Sequence, residues 1–146
     1  MNILVINGPS INMLGIRQPE LYGRTGYGEL VELISREARV LGDRVSFVQS
    51  NHEGDLVDAI QSAYGKYDGM IINPAAYTHT SIALLDALTA VGLPAVEVHI
   101  TDPDSREDFR RRSFIRHACA ATVKGKGIDG YVDALRILHE LLSQHF

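Results

Sequence analysis

Five short runs rich in β-branched residues recur along the chain, and a stretch with helical spacing follows all but one of the first four. The runs are NILVIN (2–7), RVSFVQ (44–49), GMIIN (69–73), AVEVHI (95–100) and AATVK (120–124). Strands this continuously apolar are those buried on both faces. Among the intervening stretches, YGELVELISREARVLG sets Leu30, Leu33, Ile34 and Leu41 on one face, with Val31, Ala38 and Val40 beside it, and ends at Gly42. GDLVDAIQSAYG carries Leu56, Ile60 and Ala63 as a stripe and stops at Gly65. TSIALLDALTAVG has Thr80 or Ser81 as its N-cap and stops at Gly92, with Pro94 beyond. YVDALRILHELL closes the chain, and REDFRRRS (106–113) fits either a short helical turn or an ordered loop. Such β–α alternation demands a parallel sheet with right-handed crossovers and helices on both faces. Five strands fit the flavodoxin-like order 2-1-3-4-5 better than a six-stranded dinucleotide fold, in a single domain spanning 1–146.

Charge narrows the partners. The formal net charge is -4, and no block of like charges exceeds RRR at 110–112, which argues against a nucleic acid or a membrane surface as partner. No apolar run approaches the ~20 residues of a membrane-spanning helix. Met1 leads straight into the first strand without a leader pattern, so the expected location is cytoplasmic. Cys119 is the only cysteine; it excludes an intrachain disulfide and reads as a small core residue in ACAATV.

In open α/β sheets, ligands bind beyond the carboxyl ends of the strands, at the switch point of strand order. There the strands run into Asn7, Gln49, Asn73 and His99, so amides and an imidazole share one rim. Strands 1 and 3 end in uncharged Asn7 and Asn73, which excludes a receiver-type acidic cation site; GPSINMLG lacks the glycines of a dinucleotide fingerprint. A flavin site stays open, although the chain has no tryptophan and few aromatics near the rim. Glu97 and His99, two apart on one face of strand 4, suit an orienting carboxylate beside an acid–base imidazole, or a satisfied core pair. No third ligand is suggested nearby, so a metal site is disfavoured. NPAAYTHTS (73–81) and ITDPDSRED (100–108) lead into helical turns whose N–H groups suit an anionic ligand, and Arg110 adds a cation. Lys124, near the end of strand 5, is a weak candidate for a Schiff base, because an amine nucleophile needs desolvation or a neighbouring cation. The first strand is followed by NGPSINMLGIRQPELYG (7–23), far longer than the usual link to a helix. It carries Arg17 and Tyr22, with Arg24 following; a tyrosine base at neutral pH needs such positive charge. This loop reads as a lid that bears chemistry.

NGPSINMLGIRQPELYG, QSNHEG, INPAAYTHTS, VEVH and REDFRRRSFI, in this order and spacing, resemble successive blocks of type II 3-dehydroquinate dehydratase across essentially the whole chain. The resemblance implies a flavodoxin-like hydro-lyase that converts 3-dehydroquinate into 3-dehydroshikimate without metal or organic cofactor, in biosynthesis or quinate catabolism. It also implies a homododecamer built of trimers. By position, Tyr22 matches the base, Arg17 the lid arginine that favours the tyrosinate, and His99 the acid that protonates the departing hydroxyl, with Glu97 beside it. Asn73, His79, Arg110 and the backbone at Ile100 and Thr101 match groups that hold the substrate; Asp86 matches a residue reaching a neighbouring subunit's site.

The departures are also specific. Where the family has an asparagine that positions a water near the tyrosine and the enolate, this chain has Ser10. Ala75 replaces a usual glycine, Leu85 a common arginine, Thr101 a serine and Asp102 an asparagine. They bear on rate, substrate and intersubunit contact. Two alternatives therefore stand beside the dehydratase: a diverged lyase on a related cyclic hydroxy-acid, and a non-catalytic flavodoxin-like binding module.

Overall fold

Strand β1 (Asn2–Asn7) sits between β2 (Arg44–Gln49) and β3 (Gly69–Asn73), and β4 (Ala95–His99) and β5 (Ala121–Lys124) extend the sheet beyond β3. All neighbours pair in parallel, in the order β2-β1-β3-β4-β5. The computed structural model describes residues 1–16, 18–22 and 25–144, with the backbone alone for Leu21 and Tyr22. Besides the strands it contains the single turn α1 (Pro19–Tyr22) and the helices α2 (Tyr27–Leu41), α3 (Glu53–Ser62), α4 (Ile82–Val91) and α5 (Asp129–Ser143).

Alternation along the strands divides the interior into two layers. Ile3, Val5, Ile71, Val96 and Val98 meet Leu30 and Ile34 of α2 and Leu135 and Leu138 of α5. Leu4, Ile6, Met70 and Ile72 meet Leu56 and Ile60 of α3 and Leu84 and Leu88 of α4 on the other side. Burying one such side chain contributes roughly 1.5–3 kcal/mol, so both sheet faces and one stripe of each helix are fixed by the same apolar pattern. Gly42 ends α2 at φ 77°, its N–H closing onto the carbonyls of Ala38 and Arg39. A side chain at this left-handed position would be strained.

Most boundaries match the sequence reading, and the differences have local causes. Ser81 is the N-cap of α4, its hydroxyl accepting from the Leu84 N–H at 3.0 Å. α3 stops at Ser62, short of Gly65, because the chain turns through Ala63 and Lys66 with three-residue bonds. β4 ends at His99 and not at Ile100. Val40, expected beside the buried face of α2, is 80% exposed, because the fully buried stripe of that helix is Leu30, Ile34 and Ala38. The stretch 106–113 resolves into a 3₁₀ turn at Asp108–Arg110, and the long first loop contains another at Ile11–Met13 before α1. Cys119 is half-buried against the second layer, where burial raises its thiol pKa to about 12.

The switch point lies where β1 separates β2 from β3, and the chain is closed tightly there. Gly8 donates its N–H to the Asn73 carbonyl at 2.8 Å, and a Cβ on Gly8 would stand 2.4 Å from the Pro74 carbonyl oxygen. Only glycine admits this approach, which brings the loops after β1 and β3 against each other.

Candidate active site

The pocket at this rim is lined by the loop after β1 (Pro9, Ser10, Ile11), the segment after β3 (Asn73, Ala75, Ala76, His79) and the end of β4 with its loop (His99, Ile100, Thr101, Pro103, Arg106, Arg110). Parallel pairing puts Asn7 level with both Gln49 and Asn73, so three strand ends offer amides at one height. Gln49 and Asn51 brace the first loop. Gln49 Nε2 donates to the Gly8 carbonyl at 3.1 Å, and Asn51 Oδ1 accepts the Ser10 N–H at 3.0 Å.

His99 is held from below by Glu97, which is fully buried. His99 Nε2 lies 2.7 Å from Glu97 Oε2, and the same oxygen accepts from Ser113 Oγ at 2.5 Å. Glu97 Oε1 accepts from Arg116 Nε at 2.9 Å and from Thr122 Oγ1 at 3.0 Å. Burial by itself would raise the Glu97 pKa, but the bonds from His99, Ser113 and Arg116 outweigh it and hold the carboxyl at about 2. A carboxylate can only accept, so the geometry assigns a hydrogen to His99 Nε2 and leaves Nδ1 to gain or lose one. His79 Nδ1 lies 2.7 Å from the Arg112 carbonyl, and burial lowers its pKa.

The cationic side of the pocket comes from the stretch after β4. Arg110 Nε donates to Glu107 Oε2 at 2.7 Å, which orients its guanidinium while the side chain stays partly exposed. Arg106, whose side chain is 14% exposed, also lines the pocket and was missed in the sequence reading. Only its place in the REDFRRRS block could have drawn notice, because a basic residue beside an acidic one normally reads as solvated surface. Asp102, a departure that adds charge here, caps the following turn by accepting from the Asp104 N–H at 3.0 Å and stands 3.6 Å from Lys124 Nζ. Lys124 also pairs with Asp104; that hydrogen bond raises its amine pKa and keeps the nitrogen protonated, the opposite of what a Schiff-base nucleophile needs.

Of the residues expected to act, Ser10, Asn73, His79, His99, Ile100, Thr101 and Arg110 line one pocket, and Glu97 supports it from within. Asp86 does not line it; it lies exposed on α4. Arg17 and the side chain of Tyr22 lie outside the described residues; the backbone of Tyr22 ends α1. Among the described residues, no group of three or more His, Cys, Asp or Glu side chains is placed to hold a metal ion.

Residues 1–139 match the family model described as dehydroquinase class II. The chain belongs to this family. It is 50% identical to a 3-dehydroquinate dehydratase of Caldicellulosiruptor saccharolyticus over 97% of this chain and 98% of that one. Among solved structures, the type II dehydroquinase of Butyrivibrio crossotus superposes with a TM-score of 0.93 at 44% identity, covering 94% of this chain and 97% of that one. The corresponding enzyme from Propionibacterium acnes gives 0.91 at 37% identity, covering 95% and 96%. The family thus agrees with the parallel five-stranded fold of this chain.

Proposed function

We propose that this chain eliminates water from 3-dehydroquinate to give 3-dehydroshikimate. The observation that carries the reading is the buried Glu97–His99 pair opening into a pocket flanked by Arg106 and Arg110. A small polyhydroxylated acid fits that chemistry: its carboxylate meets the arginines and the N–H groups of the β4 loop, and its hydroxyls meet Asn73 and His79.

In this mechanism Tyr22, as a tyrosinate favoured by Arg17, removes a proton from the carbon next to the ketone and leaves an enolate. The enolate then expels the C1 hydroxyl, which takes a proton from His99 Nδ1 and departs as water, while Glu97 stabilises the imidazolium beforehand. One proton enters at Tyr22 and one leaves from His99, so a proton must return from the tyrosine to the histidine before the next turnover. Ser10 stands where an enolate-side donor or its water would be held, with a shorter reach than an amide. Asp86 serves a neighbouring subunit's pocket in a cytoplasmic homododecamer of trimers.

The test is direct. Purified protein mixed with 3-dehydroquinate should generate the ultraviolet absorbance of the conjugated enone product. Tyr22→Phe should lower turnover by about 10²–10⁴, the range typical of an acid–base residue, with substrate affinity kept. Absence of the enone with wild-type protein would overturn the reading, and near-normal turnover of Tyr22→Phe would overturn the mechanism.

A further inference from the structure

Beneath the pocket runs a buried chain of three polar side chains that the mechanism above does not use as a whole. Tyr131, near the start of α5, is 0% exposed. Its hydroxyl accepts from Asn73 Nδ2 at 2.8 Å and donates to Asn7 Oδ1 at 2.6 Å. Asn7 and Asn73 end neighbouring strands, so the phenol reaches across the switch point from the helix layer.

The direction of every bond in this chain follows from one backbone donor. The Ala75 N–H donates to Asn73 at 3.1 Å, and a peptide N–H can meet only the amide oxygen. Asn73 must therefore turn its NH₂ toward Tyr131. The phenol then accepts from Asn73, and its single hydrogen goes to Asn7, which must present Oδ1. Asn7 Nδ2 makes no close hydrogen bond among the described residues, but the Asn7 side chain also faces the phenol of Tyr27, whose pKa burial raises and Asn7 lowers. One Asn73 Nδ2 hydrogen is spent on Tyr131; the other has no partner among the described residues, and Asn73 lines the pocket.

We propose that Tyr131 is a positioning residue for the ligand: it locks the Asn73 amide so that one N–H faces the pocket, which admits only an acceptor oxygen at that point. The ligand atom there is a carboxylate, carbonyl or hydroxyl oxygen of a small acid. The proposal rests on the dehydratase reading for its substrate, but not for its test.

The experiment measures binding of quinate, in which the ketone is reduced and no elimination can follow, by calorimetry. It uses wild type, Tyr131→Phe, Asn73→Ala and the double variant, with steady-state kinetics on 3-dehydroquinate alongside. Tyr131→Phe should weaken quinate binding about tenfold and raise KM alike, with kcat within roughly threefold of wild type, as expected for loss of ground-state binding. In the Asn73→Ala background it should change binding less than about twofold, because the amide it orients is gone. A purely structural role would lower thermal stability equally in both backgrounds and leave quinate affinity alone. Equal factors in the two backgrounds, or unchanged affinity in Tyr131→Phe, would overturn the proposal. Should Tyr131→Phe fail to fold, Asn7→Ala, which removes the acceptor of the phenol hydrogen, must show the same Asn73-dependent loss or the proposal falls. Quinate binding without turnover of 3-dehydroquinate would sink the dehydratase reading while leaving the cycle on Tyr131 intact; turnover of 3-dehydroquinate with no quinate binding by wild type would overturn the proposal on Tyr131 and leave the dehydratase reading standing.

Discussion

At Ser10 the backbone turns left-handed, with φ 69° and ψ -3°, and its amide is pinned by Asn51. Asparagine is several-fold enriched in that conformation, so Ser10→Asn asks nothing new of the main chain. The longer amide would bring both a donor and an acceptor into the pocket that Ser10 lines. If it stabilises the enolate, turnover should rise by about 1–3 kcal/mol of barrier, the upper end being one oxyanion-type donor, with KM little changed. Steady-state kinetics on 3-dehydroquinate decide this, and a slower Ser10→Asn would point to a pocket shaped for another cyclic hydroxy-acid. Ala75 is also left-handed, at φ 52°, where the resemblance leads one to expect glycine. At this scale His99, Asn73 and Glu97 were legible because strand ends and the two-residue period place them. Arg106 and the positive φ angles were not, because the path of a loop depends on what packs against it.

The elements around β4 show what is added when segments meet. Glu97 collects His99 from its own strand, Thr122 from β5, and Ser113 and Arg116 from the connection between them. The strands were readable from their apolar runs, but the last three partners depend on tertiary approach and carry no periodic signal. Their consequence is measurable. The Glu97 carboxyl titrates at about 2 in the folded chain against an ordinary 4.5, so folding favours its ionised form. Its contribution is therefore complete above about pH 4.5 and disappears as the pH falls through that value toward 2. The difference corresponds to a contribution on the order of 3 kcal/mol. Denaturant titrations across this range should show wild type losing stability steeply, and Glu97→Gln, weaker at neutral pH, losing distinctly less. Parallel slopes for the two proteins would mean that other carboxyls govern acid unfolding.

For the whole molecule, sheet order and both helical layers followed from the alternation of apolar runs, whereas the outer surface needs the coordinates. α4 is the instructive case. Its inward stripe is buried against the sheet, and its outward face carries Ile82, 55% exposed, one turn before the exposed Asp86. Phe109, beside Arg110 of the pocket, is 68% exposed. A monomer gains nothing from leaving such side chains in water, and an assembly in which Asp86 approaches a neighbour's pocket would carry Ile82 toward the same boundary. The replacement of the family's arginine by Leu85 is compatible with that contact, because a leucine can pack where the rim is apolar. Wild-type protein should therefore sediment, at micromolar concentration, as a whole multiple of three chains of 16.1 kDa each. Ile82→Lys puts a charge at the expected boundary and should shift the mass toward smaller species. If Asp86 completes the neighbouring pocket, activity per chain should fall in step with dissociation and recover when concentration drives reassembly. A monomeric wild type would remove the intersubunit role of Asp86, and full activity in a dissociated Ile82→Lys protein would show that each chain carries a complete site of its own.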